Sequence, residues 1–211
     1  MELPLDGIQA VIFDLDGTLY DKSRLPLRLI VSDLPHLRML GHERKARKEL
    51  MGRWFGNEQA VYDALFSRVA ELSHTDPERV RRWYGQRYMP LMQTILRRHY
   101  SLEPWVPGLL ADLRRRGLRL AVYSDYGCLR ERLEALRFDP AWVDILADAP
   151  QLGGLKPCRQ SAEKLCQLLD TPPSATLMVG DRDDTDGESA RRCGMPFLLA
   201  GVRPPKQRPT P

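Results

Sequence analysis

Hydrophobic positions in this chain fall into short continuous runs separated by amphipathic stretches. Residues 8–14 (IQAVIFD) form an apolar, β-branched run closed by an acid and followed by Gly17, which predicts a buried strand that delivers side chains to a loop. Pro107 opens a helical stretch that Gly117 stops, and residues 118–123 (LRLAVY) form a second buried strand ending at Ser124. The alternation continues with a helix over 129–138, a strand over 143–147, a helix over 158–169 and a strand over 175–179. A helix over 188–193 with Gly194 past its end and a last strand over 196–200 complete it. Strands and helices in this order predict a three-layer α/β core, a parallel sheet with helices on both faces.

The interval 21–103 breaks the alternation. It holds no convincing strand and several helical stripes, and so predicts a helical insertion. Asn57 is placed to cap a helix with Val61, Leu65, Val69 and Leu72 on one face. Asp76-Pro77-Glu78 is a helix start, and Pro90 should kink or break the helix that follows. Trp54, Phe55, Phe66 and Trp83 are expected as core of this small bundle. The expected domains are 1–20 with 104–200 as the core, 21–103 as the insertion, and 201–211, with four prolines and no apolar period, as a flexible tail.

Composition narrows the function. The longest apolar runs, 10–13 and 118–123, are far shorter than the ~18 residues of a membrane span, and the first residues lack a basic leader. Cys128, Cys158, Cys166 and Cys193 form no CxxC pair, which favours reduced packing thiols and a cytoplasmic setting. The net charge of +4 is carried by arginines in pairs and short runs, which read as solvated helix faces. No nucleic-acid partner is expected, and the mild positive excess suits anionic metabolites.

In a parallel α/β sheet ligands bind at the carboxyl ends of the strands, and here those ends are polar. They are Asp14-Leu15-Asp16-Gly17-Thr18, Ser124-Asp125, Lys156-Pro157 in the segment after the third strand, and Gly180-Asp181 through Asp186. Carboxylates gathered in one place resist ionising together unless a cation compensates them, and hard oxygen ligands suit magnesium. With Mg²⁺, a lysine and a hydroxyl beside an aspartate that can act as nucleophile, phosphoryl transfer is the natural chemistry.

DLDGTL at residues 14–19, Ser124, Lys156-Pro157 and GDRDDTD at 180–186, all in order, resemble the four signature motifs of the haloacid dehalogenase superfamily. The resemblance implies a Rossmann-like core with 21–103 as an α-helical cap. It implies Asp14 as nucleophile, Asp16 as general acid and base, and Lys156 as the cation neutralising Asp14 and the phosphoryl group. Ser124, with Asp125 where many relatives carry asparagine, would bind phosphate. Gly17 would let the chain turn closely around it, and Thr18 would support the loop. Asp14, the backbone carbonyl of Asp16, Asp181 and Asp186 would hold Mg²⁺. Asp183 and Asp184 read as acids at a helix approach, and His36, His42, His74 and His99 as structural or surface residues. An acid two residues after the nucleophile disfavours dehalogenation, because a halide leaves without a proton whereas an alkoxide needs one. The expected activity is a Mg²⁺-dependent phosphatase for a small phosphomonoester, of the phosphoglycolate phosphatase or nucleotidase kind, in a monomer or homodimer. The alternatives are a sugar-phosphate mutase of the β-phosphoglucomutase kind and a silent binding protein of the same fold. Arg24, Arg28, Arg44 and Arg53 are the cap cations placed to meet an anionic substrate tail.

Overall fold

A computed structural model describes residues 3–200; the proline-rich tail predicted over 201–211 lies outside the described residues. The chain opens with strand β1 (Ala10–Phe13), every residue of which is buried. An insertion follows, made of helices α1 (Leu25–Ser32), α2 (Leu37–Leu50), α3 (Glu58–Ser73), α4 (Pro77–Trp83) and α5 (Met89–His99). The chain then returns through α6 (Val106–Arg115), β2 (Arg119–Ser124), α7 (Leu129–Ala135), β3 (Ile145–Asp148) and the short α8 (Ala149–Leu152). It continues through α9 (Arg159–Leu168), β4 (Thr176–Gly180), α10 (Glu188–Cys193) and β5 (Phe197–Leu199).

The five strands form one parallel sheet in the order β3-β2-β1-β4-β5. From β1 the chain builds outward to β2 and β3, then crosses back to β4 and β5. Right-handed crossovers therefore send α6 and α7 to one face and α9 and α10 to the other. The direction reverses between β1 and β4, where Phe13 is in register with Val179 and the Asp14 N–H donates to the Val179 carbonyl at 2.8 Å. Side chains just past these strands thus meet at the sheet's switch point. Val11, Ile12, Phe13, Leu177 and Val179 are essentially inaccessible. At about 1.5–3 kcal/mol per buried large apolar side chain, this interior anchors the strand ends that carry the polar residues.

The sequence-predicted elements recur with small shifts at their ends. The helix expected over 129–138 stops at Ala135, because Arg137 takes a left-handed conformation (φ 61°). Asn57 and Asp76 cap α3 and α4, accepting from the Ala60 and Glu78 N–H groups. Around Pro90 the helix does not break: a π-helical turn over Tyr84–Tyr88 leads directly into α5 and absorbs the missing N–H donor. Phe66 and Trp83 lie in the bundle core as expected. Trp54 and Phe55 correct that expectation, since Trp54 is 41% exposed and Phe55 only half-buried.

Those two residues belong to a strap that ties insertion to core. The Phe55 N–H donates to the Gly153 carbonyl (2.8 Å), the Gly52 N–H to the Leu155 carbonyl (3.0 Å) and the Leu155 N–H to the Arg53 carbonyl (3.3 Å). This backbone pairing needs Gly153, which sits at φ 91° with the Gly56 backbone 2.8 Å from where a β-carbon would lie. At the other end the two linkers are joined by Glu103 N–H to Leu19 carbonyl at 2.8 Å.

Candidate active site

The carboxyl ends of β1, β2 and β4, with the loop after α8, place the predicted residues in one buried cluster. Asp14 follows β1 directly. Its Oδ1 accepts from Lys156 Nζ at 2.8 Å and its Oδ2 from the Thr18 hydroxyl at 3.3 Å. Lys156 is buried and spends all three ammonium hydrogens, on Asp14, on Asp186 (2.9 Å) and on the Tyr123 carbonyl (2.9 Å). Burial alone would lower its proton affinity, but Asp14, Asp186 and Asp125 hold it well above the ordinary lysine value, so Lys156 is a fixed cation. Asp14 is pushed up to about 8: burial, Asp186 and Asp16 outweigh Lys156.

Asp186 is buried, and its second oxygen accepts from the Arg182 N–H. Gly180 allows this approach, since a β-carbon there would overlap the Asp186 carboxylate. Carboxylate oxygens of Asp14, Asp181 and Asp186 lie within 4.8 Å of one another. The peptide between Lys156 and Pro157 is cis.

Asp16 has a different environment. Arg132 grips both carboxylate oxygens, the Tyr20 hydroxyl donates to Oδ1, and the Ser124 hydroxyl donates to Oδ2 at 3.1 Å. Burial alone would raise Asp16, but Arg132, Tyr20 and Lys22 hold it below the usual carboxylate value. Arg132 is 0% exposed, and its NH1 also donates to Ser124 Oγ (2.9 Å) and the Tyr126 carbonyl (3.0 Å), while its Nε has no partner.

The remaining predicted residues have other partners. Asp125 turns its Oδ1 to the Lys156 N–H (3.2 Å), and burial raises its proton affinity against the pull of Lys156. Gly17, at φ 91°, packs against Asp181, whose carboxylate a β-carbon would overlap. Asp183 and Asp184 point outward into ion pairs with Arg191 (2.9 Å) and Arg182 (2.6 Å), so they stay apart from the cluster.

Three cations at this site escape the sequence reading: Lys22, Arg132 and Arg47. Arg47, buried on α2 beside Glu43 (2.8 Å), reaches from the insertion to the Asp125 carbonyl (3.0 Å) and lies over the Tyr126 ring. Arg47 lies on the face of α2 that meets the core, a face that also carries Glu43, Ala46 and Leu50.

A parallel sheet with a buried aspartate-lysine-carboxylate cluster at its switch point suits a hydrolase that handles phosphoryl groups, and the comparisons agree. The family model for haloacid dehalogenase-like hydrolases matches residues 8–194, and the chain belongs to that family. It is 33% identical over 100 residues to a plasmid-encoded phosphoglycolate phosphatase of Cupriavidus necator, a match spanning 47% of this chain and 43% of that protein. It is 25% identical to a phosphoglycolate phosphatase of Aquifex aeolicus over 92% of this chain and 84% of that one. The crystal structure of a phosphatase of the same family from Thermococcus onnurineus superposes with a TM-score of 0.65 at 19% identity, over 95% of this chain and 89% of that one. The chain is therefore a hydrolase of the phosphatase kind. Among the described residues no helix is long and apolar enough to cross a membrane.

Proposed function

We propose that this protein hydrolyses a small phosphomonoester through an aspartyl phosphate on Asp14. The observation that carries the reading is the buried group Asp14–Lys156–Asp186 with Asp181 beside it and Asp16 two residues on. The Asp14 carboxylate attacks phosphorus as the ester oxygen departs with a proton from Asp16. Asp16, now a carboxylate, takes a proton from the water that attacks the acyl phosphate, which releases phosphate and restores Asp14. The resting geometry adds a condition. Asp16 is held ionised by Arg132, so it must gain a proton and shed that guanidinium before it acts as the acid. Phosphoryl oxygens arriving at Ser124 compete for the same cation, because Arg132 NH1 already reaches the Ser124 hydroxyl.

The donor set fits a hard divalent cation. Among the described residues the five carboxylates Asp14, Asp16, Asp125, Asp181 and Asp186 outnumber the cations Lys156, Lys22, Arg132 and Arg47 beside them, and Asp14 is raised by burial and by Asp186 and Asp16. Asp14, the Asp16 carbonyl, Asp181 and Asp186 would hold Mg²⁺, which when bound neutralises charge on the phosphoryl oxygens.

The experiment is a screen of about a hundred phosphorylated metabolites with and without Mg²⁺, reading both released phosphate and isomerised sugar phosphate. Phosphate release dependent on Mg²⁺ and abolished by EDTA is the expected result. Isomerisation without net release would select the mutase, and full activity in metal-free buffer would overturn the metal assignment.

A further inference from the structure

We infer that Lys22 is a tethered cation that occupies the metal position and competes with the divalent ion for it. The inference rests on the metal assignment above and adds a residue to it. Lys22 Nζ donates to the Asp16 backbone carbonyl at 2.5 Å and pairs with Asp181 Oδ2 at 2.7 Å. Those are two of the four groups assigned to Mg²⁺, and an ammonium and a metal ion cannot share both oxygens.

The local backbone is shaped for this occupant. At Gly17 a β-carbon would lie 2.8 Å from Lys22 Cε and overlap the Asp181 carboxylate, so the glycine clears the path of the lysine stem. The two ammonium groups of the site differ in what they can do. Lys156 is buried, and all of its hydrogens are spent on fixed partners. The Lys22 side chain is 34% exposed and belongs to the linker that leads from β1 into α1, so its flexible stem can withdraw to water.

The consequences have opposite signs for the two states of the site. Without metal, Lys22 offsets repulsion among Asp14, Asp181 and Asp186 and holds the linker down. On metal binding it must leave. The apparent affinity is thus the intrinsic affinity reduced by the fraction of molecules in which the position is free. If Lys22 holds the position nine-tenths of the time, its removal tightens metal binding about tenfold.

The test titrates wild type, Lys22→Met and Lys22→Arg with Mg²⁺ alone by calorimetry and with Mn²⁺ by electron paramagnetic resonance, and follows thermal unfolding of each protein with and without metal. Lys22→Met is expected to bind both metals with a Kd about tenfold lower, and Lys22→Arg to stay within about threefold of wild type, since it keeps the charge. The metal-free Lys22→Met protein should melt below wild type and gain more on adding metal. Should Lys22→Met fail to fold, Lys22→Gln serves in its place. A folded Lys22→Met whose Kd equals or exceeds that of wild type overturns the inference and leaves the metal site standing. Absence of millimolar binding by wild type and variants alike overturns the site and the inference together.

Discussion

Burial makes the carboxylates of this site depend on their neighbours for compensation, and Asp16 illustrates it. Asp16→Asn should slow hydrolysis of alkyl phosphates by roughly 10²–10⁴ and that of p-nitrophenyl phosphate much less, since nitrophenolate departs without a proton. Equal losses on both esters would remove Asp16 from the leaving-group step. The substitution also leaves the buried Arg132 guanidinium without its counter-charge, at about 3–5 kcal/mol, so rates belong well below the variant's unfolding temperature. Asp148 is the converse case. Its Oδ1 caps α8 by accepting from the Gln151 N–H (2.9 Å), while its Oδ2 is buried without a partner. Burial raises it from the ordinary 3.8 to about 6. The folded state therefore binds the extra proton between those values, and stability falls as pH rises through the window. Asp148→Asn keeps the cap and removes the ionisation. By urea denaturation its stability relative to wild type should improve by as much as about 3 kcal/mol between pH 4 and pH 7.5. A pH-independent difference would show that Asp148 titrates normally.

Between elements, the strap joining residues 52–56 to 153–155 fixes where the insertion sits over the strand ends. Gly153→Ala forces a left-handed alanine against the Gly56 backbone and should cost about 1–3 kcal/mol, read as a lower urea midpoint with faster proteolysis at residues 52–57. An unchanged midpoint and cleavage rate would mean that the strap bears no load. The strap was illegible in the sequence because it pairs backbone groups of segments about a hundred residues apart, which no local pattern marks. The strands and their polar ends were legible, because continuous apolar runs end at Asp14, Ser124 and Gly180, and a buried parallel sheet leaves few other readings. Arg132 and Arg47 left a signal that went unread. Arg132 interrupts an apolar stripe at i, i+3, i+4, i+7 (Leu129, Leu133, Leu136), and Arg47 stands at i+4 from Glu43 on a face shared with Ala46 and Leu50. A charge in such a stripe is buried and needs a partner, but sequence spacing alone does not say that the partner of Arg132 is Asp16, 116 residues away.

On the scale of the whole molecule, one sheet reversal gathers residues from four distant parts of the chain, and an insertion rooted at Leu19 and Glu103 lies strapped to the same loop that carries Lys156. Such an arrangement joins the polar strand ends of the core to the insertion, from which Arg47 reaches the Asp125 carbonyl. All of it turns on Asp14 as the atom donor to phosphorus. The most direct measurement is kcat of Asp14→Asn on the best phosphomonoester, with circular dichroism establishing an intact fold. The amide matches the carboxylate in shape but is a far poorer nucleophile, so a loss of more than ~10³-fold is predicted, equivalent to at least about 4 kcal/mol of barrier. A folded Asp14→Asn protein that keeps more than about a tenth of the wild-type rate, a change of less than about 1.4 kcal/mol, would contradict the account.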